Sequence, residues 1–143
     1  MKRVLLIVLM ASALLVSAGA VSPASQFHKH RFTADLQGGL NNAGLELNGF
    51  FKNGEPQYVT DLEWHNVSCG GPYAGVQHWS INVTGKGKFS KTHAIHNGYQ
   101  GSTVTITGKF SHQNRRLAGT FSVSATPGCP TGTGDLPYRT HRG

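Results

Sequence analysis

The chain has 143 residues, and its 13 Lys and Arg against 6 Asp and Glu give a formal net charge of +7. This length fits a single domain with a substantial core. The basic residues are scattered rather than gathered in a dense run, which does not favour nucleic acid as a partner. The composition therefore predicts a basic, solvated surface with some attraction for anionic cell-wall polymers.

The first twenty residues have the pattern of a secretory signal peptide. Residues 1–3 are Met-Lys-Arg, residues 4–16 are mainly apolar, and residues 18–20 are Ala-Gly-Ala. This order matches a basic start, an apolar run and a small-residue cleavage site. The apolar run is short for a bilayer span, and no later segment resembles a membrane helix. We therefore expect a secreted, extracellular protein, with an uncleaved anchor as the alternative.

The predicted cleavage divides the chain into three parts. Residues 1–20 form the signal peptide, residues 21–30 a flexible N-terminal tail, and residues 31–143 a secreted β domain. The tail is predicted from its low hydrophobicity and its position at a terminus. We expect the mature protein to be a monomer.

The two cysteines indicate how the domain is held together. Cys69 and Cys129 are the cysteines of this chain, and an even count in an exported protein favours a disulfide. A metal site made of both cysteines and a histidine is the alternative. No Cys-x-x-Cys or Cys-x-x-His spacing supports that alternative, so we predict a disulfide.

Apolar and polar residues alternate with a period of two along much of the chain, and this period predicts β-strands. The clearest hairpin joins residues 103–110 to residues 117–123 through a short polar turn. The other predicted strands span residues 31–36, 45–51, 57–69, 76–84, 88–90 and 92–96, with an edge strand at 136–139 before a frayed end. No segment has a sustained helical period. The pattern predicts an all-β fold, a single antiparallel β-sandwich or jelly-roll/barrel-like domain of about eight strands.

The turns between these strands are rich in glycine and asparagine. Asn53-Gly54 and Asn97-Gly98 predict type I′ turns, because both central residues of that turn need positive φ. Residues 70–75, directly after the first cysteine, are predicted to form a flexible loop.

A Gly-x-Phe-Ser pattern occurs three times, at residues 87–90, 108–111 and 119–122. The unequal spacing does not support a repeat architecture. A structural cause suffices, because glycine lets a neighbouring aromatic ring cover the bare backbone while Phe fills the core.

Together with the cysteines, these motifs resemble those of a group of small exported bacterial β-sandwich-like proteins, the uncharacterised secreted proteins of actinobacteria and their relatives. The matching residues are Cys69, 87–90, 108–110, 119–121 and 129–132. Members often end with a tryptophan after Thr-Gly, and Tyr138 stands near that place here. The resemblance implies the fold and export, and it implies no activity.

One pair of carboxylates has a spacing that suits catalysis. Asp61 and Glu63 share a face of a predicted strand, about 7 Å apart, which falls within the range for the carboxylate pair of a glycoside hydrolase. Any solvent-facing strand shows the same alternation. Serine-hydrolase, phosphate-loop and dinucleotide motifs are absent from the sequence. Whether the protein is an enzyme stays open, and we favour a protein without catalytic activity.

Histidines are the candidate metal ligands. His93 and His96 are close in sequence, but a spacing of three on an extended chain places them on opposite faces. His65 and His78 lie on polar strand faces and would join a site if their strands paired. We expect no metal site and no cofactor.

Aromatic residues in glycine-rich segments favour a binding surface. Tyr73 and Tyr99 lie in such predicted loops, whereas Trp64 and Trp79 lie on apolar strand faces and are predicted to be core. The candidate binding-loop residues are Tyr73, Lys91, His96, Asn97, Tyr99 and Gln100. They would stack on sugar rings or contact a partner; tyrosines that only cover the core edge are the alternative.

The sequence therefore predicts a non-catalytic extracellular binding module for a polysaccharide, a cell-wall polymer or a protein. Two alternatives stay open at this point. One is a hydrolase or metal-binding protein that uses Asp61, Glu63 and the histidines, and the other is a structural or inhibitory secreted protein.

Overall fold

The computed structural model describes residues 26–70, 72–95, 101–111, 113, 115–126 and 129–142. Within these ranges the chain forms nine β-strands and no helix. The strands are β1 (His28–Leu36), β2 (Gly44–Lys52), β3 (Glu55–Ser68), β4 (Pro72–Gln77), β5 (Ile81–Asn82), β6 (Lys88–Ala94), β7 (Thr103–Ser111), β8 (Arg116–Val123) and β9 (Leu136–Arg142). The predicted all-β class is confirmed. The described part of the chain has no helix with the length and apolar character to cross a membrane.

The strands form one antiparallel sheet that curls into a half-barrel. Eight of them follow the order β4-β3-β2-β1-β9-β8-β7-β6, and the short β5 pairs with β3. The sheet therefore has two halves, β1–β4 and β6–β8, with β9 between them. Its concave inner face carries the core, and its outer face meets solvent.

The last strand is the main correction to the predicted topology. We expected an edge strand at residues 136–139 and a frayed end, but β9 runs to Arg142 and lies between β1 and β8. Residues 138–142 pair with 32–36 of β1, and residues 136–139 pair with 118–121 of β8. Pro137 suggested an edge because proline cannot donate to a ladder. Its carbonyl still accepts a hydrogen bond from Gln37 N at 2.9 Å.

Side chains from both halves of the sheet meet in a single core. The Phe110 ring lies 5.5 Å, centroid to centroid, from the rings of both Phe32 and Phe51. Trp64 and Phe121 pair across the inner space at 5.3 Å. Edge-to-face and tilted aromatic pairs of this kind add about 1 kcal/mol each beyond their buried area. Trp64 is fully buried as predicted, and Trp79 is partly buried against the same core.

Strand β3 departs from strict alternation at two polar residues, Asp61 and Asn66. Both have positive φ, 52° and 54°, and the β2–β3 and β3–β4 registers shift near them. Each residue acts as a β-bulge, which inserts one extra position and bends the strand. Asp and Asn tolerate this conformation better than other non-glycine residues.

Glycine and aromatic side chains are paired as the Gly-x-Phe-Ser pattern predicts. A Cβ on Gly108 would lie 2.3 Å from the Phe89 ring, so the bare backbone of Gly108 is covered by that ring. Gly119, opposite Gly108, leaves no room either, since a Cβ there would lie 1.9 Å from the Thr107 carbonyl oxygen. The buried Tyr138 donates a hydrogen bond to the same carbonyl at 2.7 Å.

Cys69 and Cys129 form the predicted disulfide. It ties the end of β3 to the segment between β8 and β9, with a sequence separation of 60 residues. Closing a loop of this length lowers the conformational entropy of the unfolded chain, which stabilises the folded state by about 4 kcal/mol. The bond therefore links the two halves of the sheet covalently.

Several predicted boundaries differ from those observed. β1 begins at His28, so residues 28–30, assigned to the flexible tail, belong to the sheet. β4 begins at Pro72, within the predicted loop 70–75. Residues 78–80 interrupt the strand predicted at 76–84, and β6 joins two predicted short pieces into one strand. The Asn53-Gly54 turn is confirmed, with φ of 53° and 80°, while Asn97-Gly98 lies outside the described residues.

Candidate functional site

The outer face of β1–β4 contains an open polar cleft of about 440 Å³. Its charged and polar lining residues are Lys29 and Arg31 of β1, Glu46 and Asn48 of β2, Asp61 and Glu63 of β3, and His78 after β4. Two cations on β1 therefore share one depression with carboxylates on β2 and β3.

Strand register explains why these side chains meet. Glu46 is paired with Glu63, and Asn48 with Thr60, so their side chains leave the same face of the β2–β3 pair. The bulge at Asp61 adds one more polar side chain between Thr60 and Glu63 without turning Leu62 out of the core. The bulge thus concentrates polar groups at the floor of the cleft.

Asp61 is the most hydrogen-bonded side chain of the cleft. Its Oδ2 accepts hydrogen bonds from Asn48 Nδ2 at 2.9 Å and from Thr60 Oγ1 at 3.0 Å. Its Oδ1 lies 3.1 Å from His78 Nδ1. These hydrogen bonds hold the pKa of Asp61 below its ordinary value of 3.8. The contact with His78 is the largest cause, followed by those with Asn48 and Thr60. Asp61 is therefore an anion at neutral pH and is poorly suited to donate a proton to a leaving group.

The two glutamates of the cleft have different surroundings. Glu46 forms an ion pair with Arg31. Glu63, directly across from it, is exposed and has no hydrogen bond or ion pair with another described residue. Like charges directly opposite on neighbouring strands repel each other, and Arg31 offsets this repulsion. Glu63 therefore remains available to a ligand.

A partly exposed aromatic cluster, made of Phe27, Phe50 and Tyr58, lies on the same outer face. The Phe50 and Tyr58 rings are stacked, with centroids 4.6 Å apart, and Phe27 lies 5.7 Å from Tyr58. Phe27 is 51% exposed, which is unusual for a large apolar side chain in contact with others. Lys52 Nζ lies 6.0 Å from the centre of the Phe27 ring, at the limit of a cation–π contact.

Lys29 joins the aromatic cluster to the polar cleft. It is paired with Phe50 across β1 and β2, and it also lines the cleft. The two features therefore form one continuous surface on β1–β3, with an apolar end and a charged end.

A shallower depression of about 350 Å³ extends this surface beyond Glu46. His65, Asp35 and Gly44 line it. A Cβ on Gly44 would lie 2.5 Å from the His65 ring, so the ring lies across the bare backbone of Gly44. The histidine thereby forms part of the floor instead of projecting freely into solvent.

No protein-family model, no curated protein and no solved structure matches this chain. The assignment of the surface therefore rests on its geometry and chemistry. The resemblance to secreted actinobacterial proteins stays a prediction.

Of the six predicted binding-loop residues, the structure describes Tyr73 and Lys91. Tyr73 lies in β4, paired with Val67, instead of in a loop. Lys91 lies in the edge strand β6, paired with Ile106. The other four candidates, His96, Asn97, Tyr99 and Gln100, lie outside the described residues. These positions stay untested as a binding site.

The residues predicted for a metal site and those predicted for a hydrolase are placed differently by the structure. His93 stacks on Trp79 with ring centroids 5.3 Å apart, and His96 lies outside the described residues. In the part of the chain that the structure describes, no group of three or more His, Cys, Asp or Glu is placed to hold a metal ion. Asp61 and Glu63 do share a cleft, together with His78.

The sequence analysis missed the aromatic cluster. Phe50 precedes the Asn53-Gly54 turn and Tyr58 follows it, so the hairpin pairs them. Alternation in β2 offered a signal, since Phe50 and the buried Phe51 must face opposite sides. The bulge between the Phe50 and Phe51 pairs shifts the register, so the sequence does not indicate that Tyr58 is the partner of Phe50. The predicted binding site was placed on the loop tyrosines instead.

Proposed function

We propose that this protein is an exported, non-catalytic module that binds a carbohydrate polymer on the outer face of β1–β3. The observation that carries the proposal is the continuity of the partly exposed aromatic cluster with the polar cleft through Lys29. Aromatic rings provide apolar contact area for the C–H faces of sugars, and carboxylate, amide and guanidinium groups bind their hydroxyls. Function on such a scaffold is set by the site, not by the fold.

Export is supported by the leader-like sequence of residues 1–20 and by the Cys69–Cys129 disulfide. Disulfides persist in oxidising compartments and are rare in the cytosol. A carbohydrate polymer outside the cell is therefore a ligand that such a protein would meet.

The proposal is tested by retention on insoluble polysaccharides and isolated cell walls, followed by affinity measurements on a glycan array. We expect the double variant Phe50→Ala/Tyr58→Ala to bind at least about tenfold more weakly, because it loses most of the aromatic contact area. Leu40→Ala is the matched control, since Leu40 is an exposed apolar residue on a turn, outside the cleft lining. Failure of the wild-type protein to bind any polymer, or full binding by the double variant, would contradict the proposal.

Hydrolysis in the same cleft is the second candidate function. It is favoured by the Glu46–Glu63 register pair, since side chains directly opposite have Cβ atoms about 5 Å apart. Retaining glycosidases hold their two carboxyl groups at about 5 Å. The test is the release of reducing ends from soluble polymers. Release that Glu63→Gln abolishes would establish hydrolysis and overturn the non-catalytic proposal.

A further inference from the structure

We infer that the ligand of this surface is an acidic polysaccharide, a polymer of sugars that carry carboxylate groups. The inference rests on the proposed carbohydrate-binding function and adds the charge of the ligand. It follows from how the cations and carboxylates are distributed around the aromatic cluster.

Two lysines stand next to the aromatic rings. Lys29 is the cross-strand neighbour of Phe50, and Lys52 Nζ lies 6.0 Å from the Phe27 ring centre. A sugar placed against Phe50 or Phe27 would therefore have an ammonium group beside its substituents. A lysine ammonium is a compact charge that pairs with a carboxylate without a fixed geometry.

These lysines form no direct ion pair with a carboxylate in the described structure. Neither Lys29 nor Lys52 has a carboxylate oxygen within 4.0 Å among the described residues, where the ion pairs are Arg31–Glu46 and His78–Asp61. Glu55 is paired with Lys52 in the β2–β3 register, but no ion pair forms between them. Lys29 acts on Asp61 only at longer range, so both ammonium groups at the aromatic end are left without a direct ion pair.

The carboxylates of the cleft are engaged elsewhere or lie farther along the strands. Glu46 is paired with Arg31, and Asp61 accepts two hydrogen bonds in addition to its contact with His78. Glu63 pairs in register with Glu46, whereas Tyr58 pairs with Phe50, two outward positions away along β2. An anionic sugar on the aromatic cluster thus lies beside Lys29 and Lys52, and the carboxylate nearest to it in register is Glu55, opposite Lys52. The basic net charge of the chain also favours the approach of a polyanion.

The probes are polygalacturonate and its methyl-esterified form, which share a backbone and differ in charge. We expect the wild-type protein to bind polygalacturonate at least about tenfold more tightly than the ester at low salt, with the preference falling as salt rises. Lys29→Gln and Lys52→Gln should each reduce the preference severalfold. Lys109→Gln, an exposed lysine on β7 in the other half of the sheet, should leave it unchanged.

The outcomes separate this inference from the proposed function. Equal binding to both polymers, lost in Phe50→Ala/Tyr58→Ala, would overturn the acidic ligand and leave carbohydrate binding standing. Absence of binding to either polymer and to every glycan on the array would overturn both. Tighter binding of a single-stranded oligonucleotide than of polygalacturonate, reduced by Lys29→Gln, would assign the surface to nucleic acid and overturn both as well.

Discussion

The two halves of the sheet share one core but present different outer faces. The outer face of β1–β4, the charged half, carries the polar cleft and the aromatic cluster. The outer face of β6–β8, the hydroxyl half, carries mainly short hydroxyl side chains. These are Ser90, Thr92, Thr103, Thr105, Thr107, Thr120 and Ser122.

The two halves also differ in the regularity of their backbone pairing. In the hydroxyl half, β6–β7 and β7–β8 pair without a register shift, and cross-strand threonines bond to each other. Thr92 and Thr105 hydroxyls are 2.9 Å apart, and Thr107 and Thr120 hydroxyls 2.8 Å. In the charged half, bulges interrupt both β2–β3 and β3–β4. Bulges re-aim side chains and are frequent beside functional sites.

One half therefore pairs regularly and packs closely, whereas the other interrupts its pairing and exposes charged side chains. Hydroxyls in the regular half satisfy each other, so fewer of them are left for a partner. Lys29, Lys52 and Glu63 in the charged half form no ion pair within 4.0 Å among the described residues.

The largest expected effect is on the free energy of unfolding, and it differs between alanine substitutions at two glycines, one in each half. A Cβ on Gly119 would meet backbone, the Thr107 carbonyl oxygen at 1.9 Å and Gly108 Cα at 2.9 Å. Gly119→Ala should therefore lower the free energy of unfolding by about 3 kcal/mol or more. A Cβ on Gly44 would meet the exposed His65 ring, which can swing away, so Gly44→Ala should cost less than about 1 kcal/mol.

Urea unfolding followed by tryptophan fluorescence measures both changes. Gly85→Ala is the control for the loss of a glycine, because a Cβ there has nothing within 4 Å. If Gly44→Ala and Gly119→Ala cost the same, close backbone packing would not distinguish the two halves.

The next prediction compares two tyrosines. Tyr138 is 1% exposed and donates a hydrogen bond to the Thr107 carbonyl at 2.7 Å, and burial raises its pKa. Tyr138→Phe should lower the free energy of unfolding by about 1 kcal/mol, since a largely buried acceptor loses its donor. Tyr58→Phe is the matched exchange in the charged half, where the hydroxyl has no described partner, and should stay within about 0.5 kcal/mol.

Thermal unfolding by calorimetry gives both values under identical conditions. An equal loss for the two variants would mean that the Tyr138 hydroxyl contributes no more to the fold than a surface hydroxyl.

Much of the fold was predictable because local patterns determined it. The hairpin of β7 and β8 follows from strict alternation, and the Asn53-Gly54 turn from its need for positive φ at both centres. The place of β9 was not predictable, because it depends on pairing with β1, about a hundred residues away in the sequence. A short strand that contains Pro137 carries no local mark of a central position.

The candidate site was predictable only in part. Asp61 and Glu63 were recognised as neighbours on one face, and they do share the cleft. Their partners come from β1 and β2, and register across a bulged strand is not readable from one sequence. The predicted loop site relied on isolated tyrosines, of which Tyr73 turned out to lie in β4.

The smallest expected effect is a pH dependence carried by Asp61. Its folded-state pKa is lowered, with His78 the largest cause. Its contribution to stability is therefore present above the unfolded value of 3.8 and is lost as pH falls through the lower folded value. The Asp61 side chain is 41% exposed, so water and salt screen the contribution to less than about 1 kcal/mol.

The cause of this pH dependence is tested by measuring the free energy of unfolding of wild type, Asp61→Asn and His78→Gln between pH 6 and pH 2. Relative to Asp61→Asn, the wild type should lose stability below about pH 4, where a carboxylate with an unfolded pKa near 3.8 begins to bind protons. His78→Gln should shrink that loss, because the contact that lowers the pKa most is gone, and the folded value moves back toward 3.8. A difference between wild type and Asp61→Asn that stays constant with pH would show that Asp61 acts through its shape and neutral hydrogen bonds. The charge of Asp61 would then add nothing to the stability of the charged half, and packing and neutral hydrogen bonds alone would hold its bulge.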